Sequence, residues 1–357
     1  VSLLARTSVP VPVALMADEI CHQRARLPRL AIVTTLMPPK NRLWLKVLVG
    51  GLLLWALTVA VLWTTQVTTL IPVVIFVGSF LSPVVFAVWV FEREEYSGVS
   101  PDGHASALTV PRLVAAFGVG GLLGVTLAAL IESVALNHIP GILWLPGVAV
   151  IEETIKIAIV WWLARSLTSY YLRDGMVLGA CVGFGFAAFE TSGYAFNALI
   201  ATNETDILPV VETQLVRGML TPVGHGLWTA LLAGALFAAA SKTGKLHLTF
   251  SVVGWWVVVV VLHWIWDASS GLAAILTQIT SGEPITVNAF ESGKLPSPTD
   301  AQVHLLALYS WVLLTACALV GIWLANRMWV KGRALVPGYP YGPSADDPAA
   351  LTPDPKP

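Results

Sequence analysis

Two adjacent glutamates and a lysine, Glu152, Glu153 and Lys156, stand in the middle of the apolar stretch LPGVAVIEETIKIAIVWWLA, residues 145–164. A helix through this stretch brings the lysine one turn on from both carboxylates, so its ammonium can reach either of them. A charge near the centre of a bilayer costs on the order of 3 kcal/mol, so three such groups need a reason. One reason is a structural ion pair inside a bundle. That leaves the second glutamate without a partner in its own helix, and neighbouring carboxylates of this kind can carry protons for acid–base catalysis.

Three further apolar stretches carry groups of the same character. GMVLGACVGFGFAAFETSGYAFNALI (175–200) holds Glu190 one turn after Phe186, and its glycines Gly179, Gly183 and Gly185 offer a small-residue surface for close helix packing. RGMLTPVGHGLWTALLAGALF (217–237) places His225 just after Pro222, between Gly224 and Gly226. VGWWVVVVVLHWIWDASSGLAAIL (253–276) places Asp267 one helical turn after His263, where the carboxylate can accept from one imidazole nitrogen, fix the tautomer and leave the other nitrogen free. Taken singly, Glu190 could be a helix-packing partner and His225 an interfacial anchor, and the tryptophans around His263 read as packing and interfacial aromatics. Taken together, four successive apolar runs each supply a polar group, which points to a site. Glutamates and histidines without cysteine suit zinc, with Glu190, His225 and His263 as metal ligands, and Glu152 or Glu153 as the base for a water. A metal-free scheme uses a glutamate to activate water and the histidines to hold the oxyanion. The HExxH motif of many zinc proteases is absent.

The elements that must position these residues are membrane spans. Of 357 residues, 56% are hydrophobic and 11% charged, and the mean hydropathy is +0.76; a soluble domain carries roughly twice that charged fraction. Runs long enough to cross about 30 Å of hydrocarbon occur at about 43–64, 70–91, 111–136, 143–164, 175–200, 218–240, 250–276 and 306–328. The expected fold is therefore all-α, a polytopic transmembrane helical bundle of about eight spans, within a helical domain 43–328 whose catalytic core is about 143–276. Residues 1–42 read as a cytoplasmic N-terminal arm and 329–357 as a disordered, Pro-rich cytoplasmic tail. No signal peptide is evident ahead of the first run.

Lysine and arginine set the orientation. Arg24, Arg26, Arg29, Lys40 and Arg42 lie in the arm, Arg93, Arg112, Arg165, Arg173, Lys242 and Lys245 in the even-numbered loops, and Arg327, Lys331 and Arg333 at the end, whereas the odd-numbered loops hold only Arg217 and Lys294. Both termini are thus expected in the cytoplasm. Segments 201–218 and 277–304 then become the longer outer loops, and Asn203-Glu204-Thr205 in the first matches a glycosylation sequon. Counting along each span puts Glu152, Glu153, Glu190, His225 and His263 between the midplane and the outer surface, with Glu132 at the rim. Cys21, Cys181 and Cys317 form no CxxC pair and read as reduced packing residues. The net charge of −1 gives no reason to expect nucleic acid as a partner.

The motifs Glu152-Glu153-Thr-Ile-Lys156, Phe186-Ala-Ala-Phe-Glu190, Pro222-Val-Gly-His225 and His263-Trp-Ile-Trp-Asp267, in order on four consecutive spans, resemble the PrsW family of intramembrane proteases, itself distantly similar to the CAAX-prenyl proteases and the bacterial CPBP/Abi proteins. The resemblance covers about 145–275. It implies a helical membrane protease that cuts another membrane protein, in the best-known members an anti-sigma factor cleaved on its outer side, and thus a bacterial plasma-membrane protein. It also implies Glu152 and Glu153 as catalytic carboxylates, with Lys156 and Asp267 beside them, and Glu190, His225 and His263 as metal or transition-state groups. The prenyl proteases have His in place of Glu190 and Asn in place of Asp267, which argues against a prenylated-peptide substrate. A proton- or cation-coupled transporter would also bury carboxylates and histidines at one depth, but the polar groups here lie in adjacent helices without matching halves. A non-catalytic scaffold would have lost some of the motif positions, and all are filled.

Overall fold

A computed structural model describes residues 42–96, 108–201 and 207–334. All of the arm but Arg42, the sequon at Asn203 and all but the first six residues of the expected tail lie outside the described residues, Cys21 among them. Helices are the only regular elements among the described residues: α1 (Leu43–Thr65), α2 (Ile71–Tyr96), α3 (Val110–Ala135), α4 (Trp144–Ala164), α5 (Leu172–Ala201), α6 (Leu208–Leu220), α7 (His225–Ala240), α8 (Phe250–Asp267), α9 (Ser269–Ser281), α10 (Val287–Ser292) and α11 (Asp300–Ala334).

By length and composition, seven helical segments of the described residues can cross a membrane: α1, α2 with the turn before it, α3, α5, α6 with α7, α8, and α11. α4 has the length too, at 21 residues, but carries Glu152, Glu153 and Lys156 at its centre. Seven of the eight expected spans thus fall on segments able to cross a membrane and the fourth falls on α4, and the all-helical, polytopic fold holds. Several hydroxyls inside these helices are satisfied locally: Thr58, Thr126 and Thr154 each donate to the carbonyl four residues back.

α5 is the axis of the bundle, in contact with α2, α3, α4, α6 and α7. Its glycines explain how. An added Cβ at Gly175, Gly179 or Gly183 would run into Ala233 and Phe237, Thr229, or the carbonyl of His225, so one stripe of α5 lies directly on the backbone of α7. On another face Gly185 meets the carbonyl of Phe117, while Gly120 of α3 meets that of Val182. Small residues let transmembrane backbones approach closely, and that packing holds helices together where lipid is as apolar as leucine. At the margin of the bundle, Glu92 of α2 accepts from the first backbone amides of α1, Leu43 N at 2.7 Å and Trp44 N at 3.4 Å, and so caps the helix.

Three expectations about segment limits are corrected. Residues 208–218, read as outer loop, belong to helix α6, because buried Gln214 anchors them: its Nε2 donates to the carbonyls of Val74 and Ile75, and its Oε1 accepts from Trp55 Nε1. The seventh run is two helices, since the backbone leaves the helix at Ala268 and restarts at Ser269, where Gly271 lies against the carbonyl of Phe290 in α10. The last helix reaches Ala334, into the segment assigned to the tail. Cys181 and Cys317 are buried free thiols.

Candidate active site

Two helix breaks flank the site. Pro222 has no amide hydrogen to continue α6, and Gly224 leaves helical dihedrals at φ −102°, ψ −133°, so α7 restarts with His225 as its first residue. His263 and Asp267 occupy the last turn of α8, just before the break at Ala268. α4 passes between these two helix ends unbroken, and Glu190 faces them from α5. Irregular backbone at this depth is tolerated when it is buried in protein, and here it aims both imidazoles at the middle of α4.

The centre is the ammonium of Lys156, which is completely buried. Its Nζ donates to Glu152 Oε2 at 2.9 Å and Glu153 Oε1 at 2.8 Å, and lies 2.8 Å from His225 Nδ1. The ring of Phe186 lies beneath it, with its centroid 4.0 Å away. An ammonium has no lone pair to offer, so the bond to His225 makes Nδ1 the acceptor. The proton of that imidazole then sits on Nε2, which donates to Glu190 Oε2 at 2.9 Å.

His263 repeats this arrangement. Its Nε2 is 3.2 Å from Asp267 Oδ2 and its Nδ1 is 3.0 Å from Glu153 Oε1. A neutral imidazole has one N–H to give. If Asp267 takes it, the Nδ1 lone pair faces a carboxylate oxygen, a mismatch that a cation in the gap relieves. Each histidine thus has Nε2 beside a carboxylate on the rim, bonded to Glu190 in His225 and 3.2 Å from Asp267 in His263, and turns Nδ1 toward α4, where His263 bonds Glu153. The rings stack into one block: the His225 and His263 centroids are 5.0 Å apart, and Trp228 packs against both at 5.3 and 4.8 Å.

The sequence-derived residues therefore all converge, with one change of place. Ligand atoms of Glu152, Glu153, His225 and His263 lie within 4.8 Å of one another and could hold a metal ion. Glu190 stands outside that group, one imidazole away, where Arg217 Nη2 bonds its Oε2 at 2.6 Å. Arg217 escaped the reading of the sequence. It also donates from Nε to Thr191 Oγ1 at 3.0 Å and lies over the ring of Tyr194. The available signal was its isolation, as one of two basic residues in the segments read as outer loops.

Two observations bear on whether this donor set fits a metal. Glu153 is fully buried, yet its Oε2 has no hydrogen-bond partner among the described residues, a costly condition unless something else satisfies it. The four carboxylates Glu152, Glu153, Glu190 and Asp267 are matched by two fixed cations, Lys156 and Arg217, so with neutral imidazoles two negative charges remain for a divalent ion to balance. Oxygen and imidazole donors of this kind suit zinc. Tetrahedral ligands about 2.1 Å from zinc stand about 3.4 Å apart, so ligand atoms that lie up to 4.8 Å apart here must draw together to hold it.

No curated protein and no solved structure matches the chain. Residues 109–289 match the family described as PrsW family intramembrane metalloprotease. That match runs from the start of α3 through α10, and it takes in every residue of the Glu/His cluster and both helix breaks. With half of its length matched and a buried Glu/His group within a multi-pass helical bundle, the chain belongs to the PrsW family of intramembrane metalloproteases.

Proposed function

We propose that the protein is a zinc-dependent intramembrane endopeptidase of a bacterial plasma membrane, which makes the first cut in a single-span membrane protein, such as an anti-sigma factor. The observation that carries this is the convergence of Glu152, Glu153, His225 and His263 in the buried middle of the chain. Under the orientation given by the basic residues, α4 enters from the outside. Glu153 then lies before the middle of α4, Glu190 past the middle of α5 and His263 in the last turn of α8. All three lean toward the outer leaflet, which suits a cut on the outer side.

In this reading Glu153, His225 and His263 would hold the metal, with Glu153 taking the place that the sequence suggested for Glu190. When bound, zinc polarises the scissile carbonyl and makes water more acidic. Glu152 acts as the base, because its side chain keeps 8% exposure while that of Glu153 has none. It takes one proton from the attacking water as the hydroxyl adds to the carbonyl carbon, and returns that proton to the amide nitrogen as the C–N bond breaks. The products are a carboxylic acid and an amine. Glu190 and Asp267 hold the two imidazoles in the required tautomer, and Arg217 keeps Glu190 in place. The aromatic block of buried Phe186 and Trp228 with half-buried Trp266 keeps bulk water from the back of the site.

The test is cleavage of a single-span substrate by the full-length protein in lipid vesicles, before and after treatment with a chelator. Cleavage that stops with chelator and returns with zinc is the expected outcome. Cleavage at an unchanged rate by protein that retains no metal would favour glutamate-activated water, and ion flux without cleavage would favour the transporter.

A further inference from the structure

We propose that Lys156 is a tethered occupant of the metal position, so that its ammonium and a divalent ion hold the same donors in turn. The inference rests on the reading of this cluster as a metal site and goes beyond it. Three of the four candidate ligands already bind Nζ: Glu152 at 2.9 Å, Glu153 at 2.8 Å and His225 at 2.8 Å. Two of these bonds leave carboxylate oxygens with lone pairs to spare. The third does not. An imidazole Nδ1 has a single lone pair, and in this structure it accepts from Lys156, while Nε2 is committed to Glu190. His225 cannot ligate a metal through Nδ1 until the ammonium leaves.

Charge points the same way. A divalent ion within bonding reach of Glu153 and His225 would stand beside a full positive charge in a space where the lysine is wholly buried, and like charges repel most strongly where water is excluded. The lysine has somewhere to go. Its four-carbon stem is flexible, and the Phe186 ring at 4.0 Å offers a face over which the ammonium can turn without losing its cation–π contact. Metal loading is then an exchange of cations. The lysine keeps the carboxylates paired and the helices assembled before the metal arrives, and it opposes loading by weakly binding ions.

The experiment uses full-length protein in detergent, stripped of metal and titrated with Co2+ alone, whose visible absorption reports inner-sphere binding without any activity measurement. Lys156→Met is expected to bind one Co2+ at least tenfold more tightly than the wild type. Equal or weaker binding by folded Lys156→Met would overturn the exchange. Should that variant fail to fold with its glutamates unpaired, the wild type itself decides. Labelling with a small amine-reactive reagent, mapped by mass spectrometry, is expected to be low at Lys156 in the metal-free protein and to rise when Co2+ is bound. Stoichiometric Co2+ with Lys156 still protected would overturn the proposal, while the metal reading of the site would stand. Absence of Co2+ binding in both proteins would remove the metal reading, and the exchange with it.

Discussion

α5 and α1 obey opposite rules. Over its most apolar stretch α5 is 94% buried and is the least apolar of the membrane-spanning helices, whereas the corresponding stretch of α1 is only 11% buried and far more apolar. In water the order would be reversed, with the greasiest helix at the centre. In a bilayer the surrounding solvent is hydrocarbon, so outward surfaces must be apolar, and the interior is where polar and small residues can be accommodated. α1 accordingly presents Leu53, Leu57 and Trp63 outward. α5 spends its surface on glycines that admit neighbouring backbones and on one glutamate that reaches the site. The least apolar of the seven segments able to cross a membrane is the one around which the protein is built.

If the difference between core and margin is chemical as well as structural, the core carboxylates carry the largest effects. Glu152→Ala and Glu153→Ala are each expected to reduce cleavage by about 10²–10⁴-fold, the usual contribution of a positioned acid–base group, with the protein still eluting as a folded species on gel filtration. Near-normal cleavage in both variants would remove these residues from the chemistry.

A smaller effect separates the carboxylates on the rim from those on α4. Glu190 bonds His225 Nε2 and Asp267 lies 3.2 Å from His263 Nε2, so Glu190→Gln and Asp267→Ala should cost about 10–100-fold, as the loss of a group that orients a metal-binding histidine generally does. His263→Ala should be worse than Asp267→Ala. Metal content sharpens the point: elemental analysis should find zinc lost in His263→Ala and largely kept in Glu190→Gln. Zinc lost from Glu190→Gln to the same extent as from His263→Ala would restore Glu190 to the ligand set that the sequence suggested.

The place of Glu190 outside the Glu/His cluster shows what a sequence can and cannot disclose about such a site. Glu152, Glu153, Lys156 and His263–Asp267 were legible because solvation makes charge in an apolar run conspicuous, and because partners one turn apart meet in any helix. The pairing of Glu190 with Arg217 was not, since it joins two helices and no local period relates them. Arg217 was further hidden because α6 buries a polar residue, Gln214, and surrounds it with Glu212 and Arg217, so the segment reads as loop. The break at Ala268 escaped for the converse reason. The junction holds no proline, and its polar residues Asp267, Ser269 and Ser270 lie between two apolar runs that together have the length of one span. The membrane-crossing helices themselves followed from length and hydropathy alone, and these depend on the bilayer rather than on the packing partner.

The mildest prediction contrasts two glycines. At Gly183 an added methyl would meet the backbone carbonyl of His225 and the Thr229 hydroxyl, neither of which is the free end of a flexible side chain. Gly183→Ala should therefore push α7 away from α5, cost about 1–3 kcal/mol as overpacking does, and lower the thermal unfolding temperature in detergent. Because the carbonyl it displaces belongs to His225, cleavage should fall as well. At Gly50 of α1 an added methyl meets nothing within 4 Å. Gly50→Ala should leave cleavage unchanged and raise helix stability by at most about 1 kcal/mol, the propensity difference between the two residues. If both substitutions prove neutral, the close approach of α5 to α7 is not what fixes His225. If both prove damaging, α1 is packed against something more than lipid, and its exposed face has to be explained as an interface.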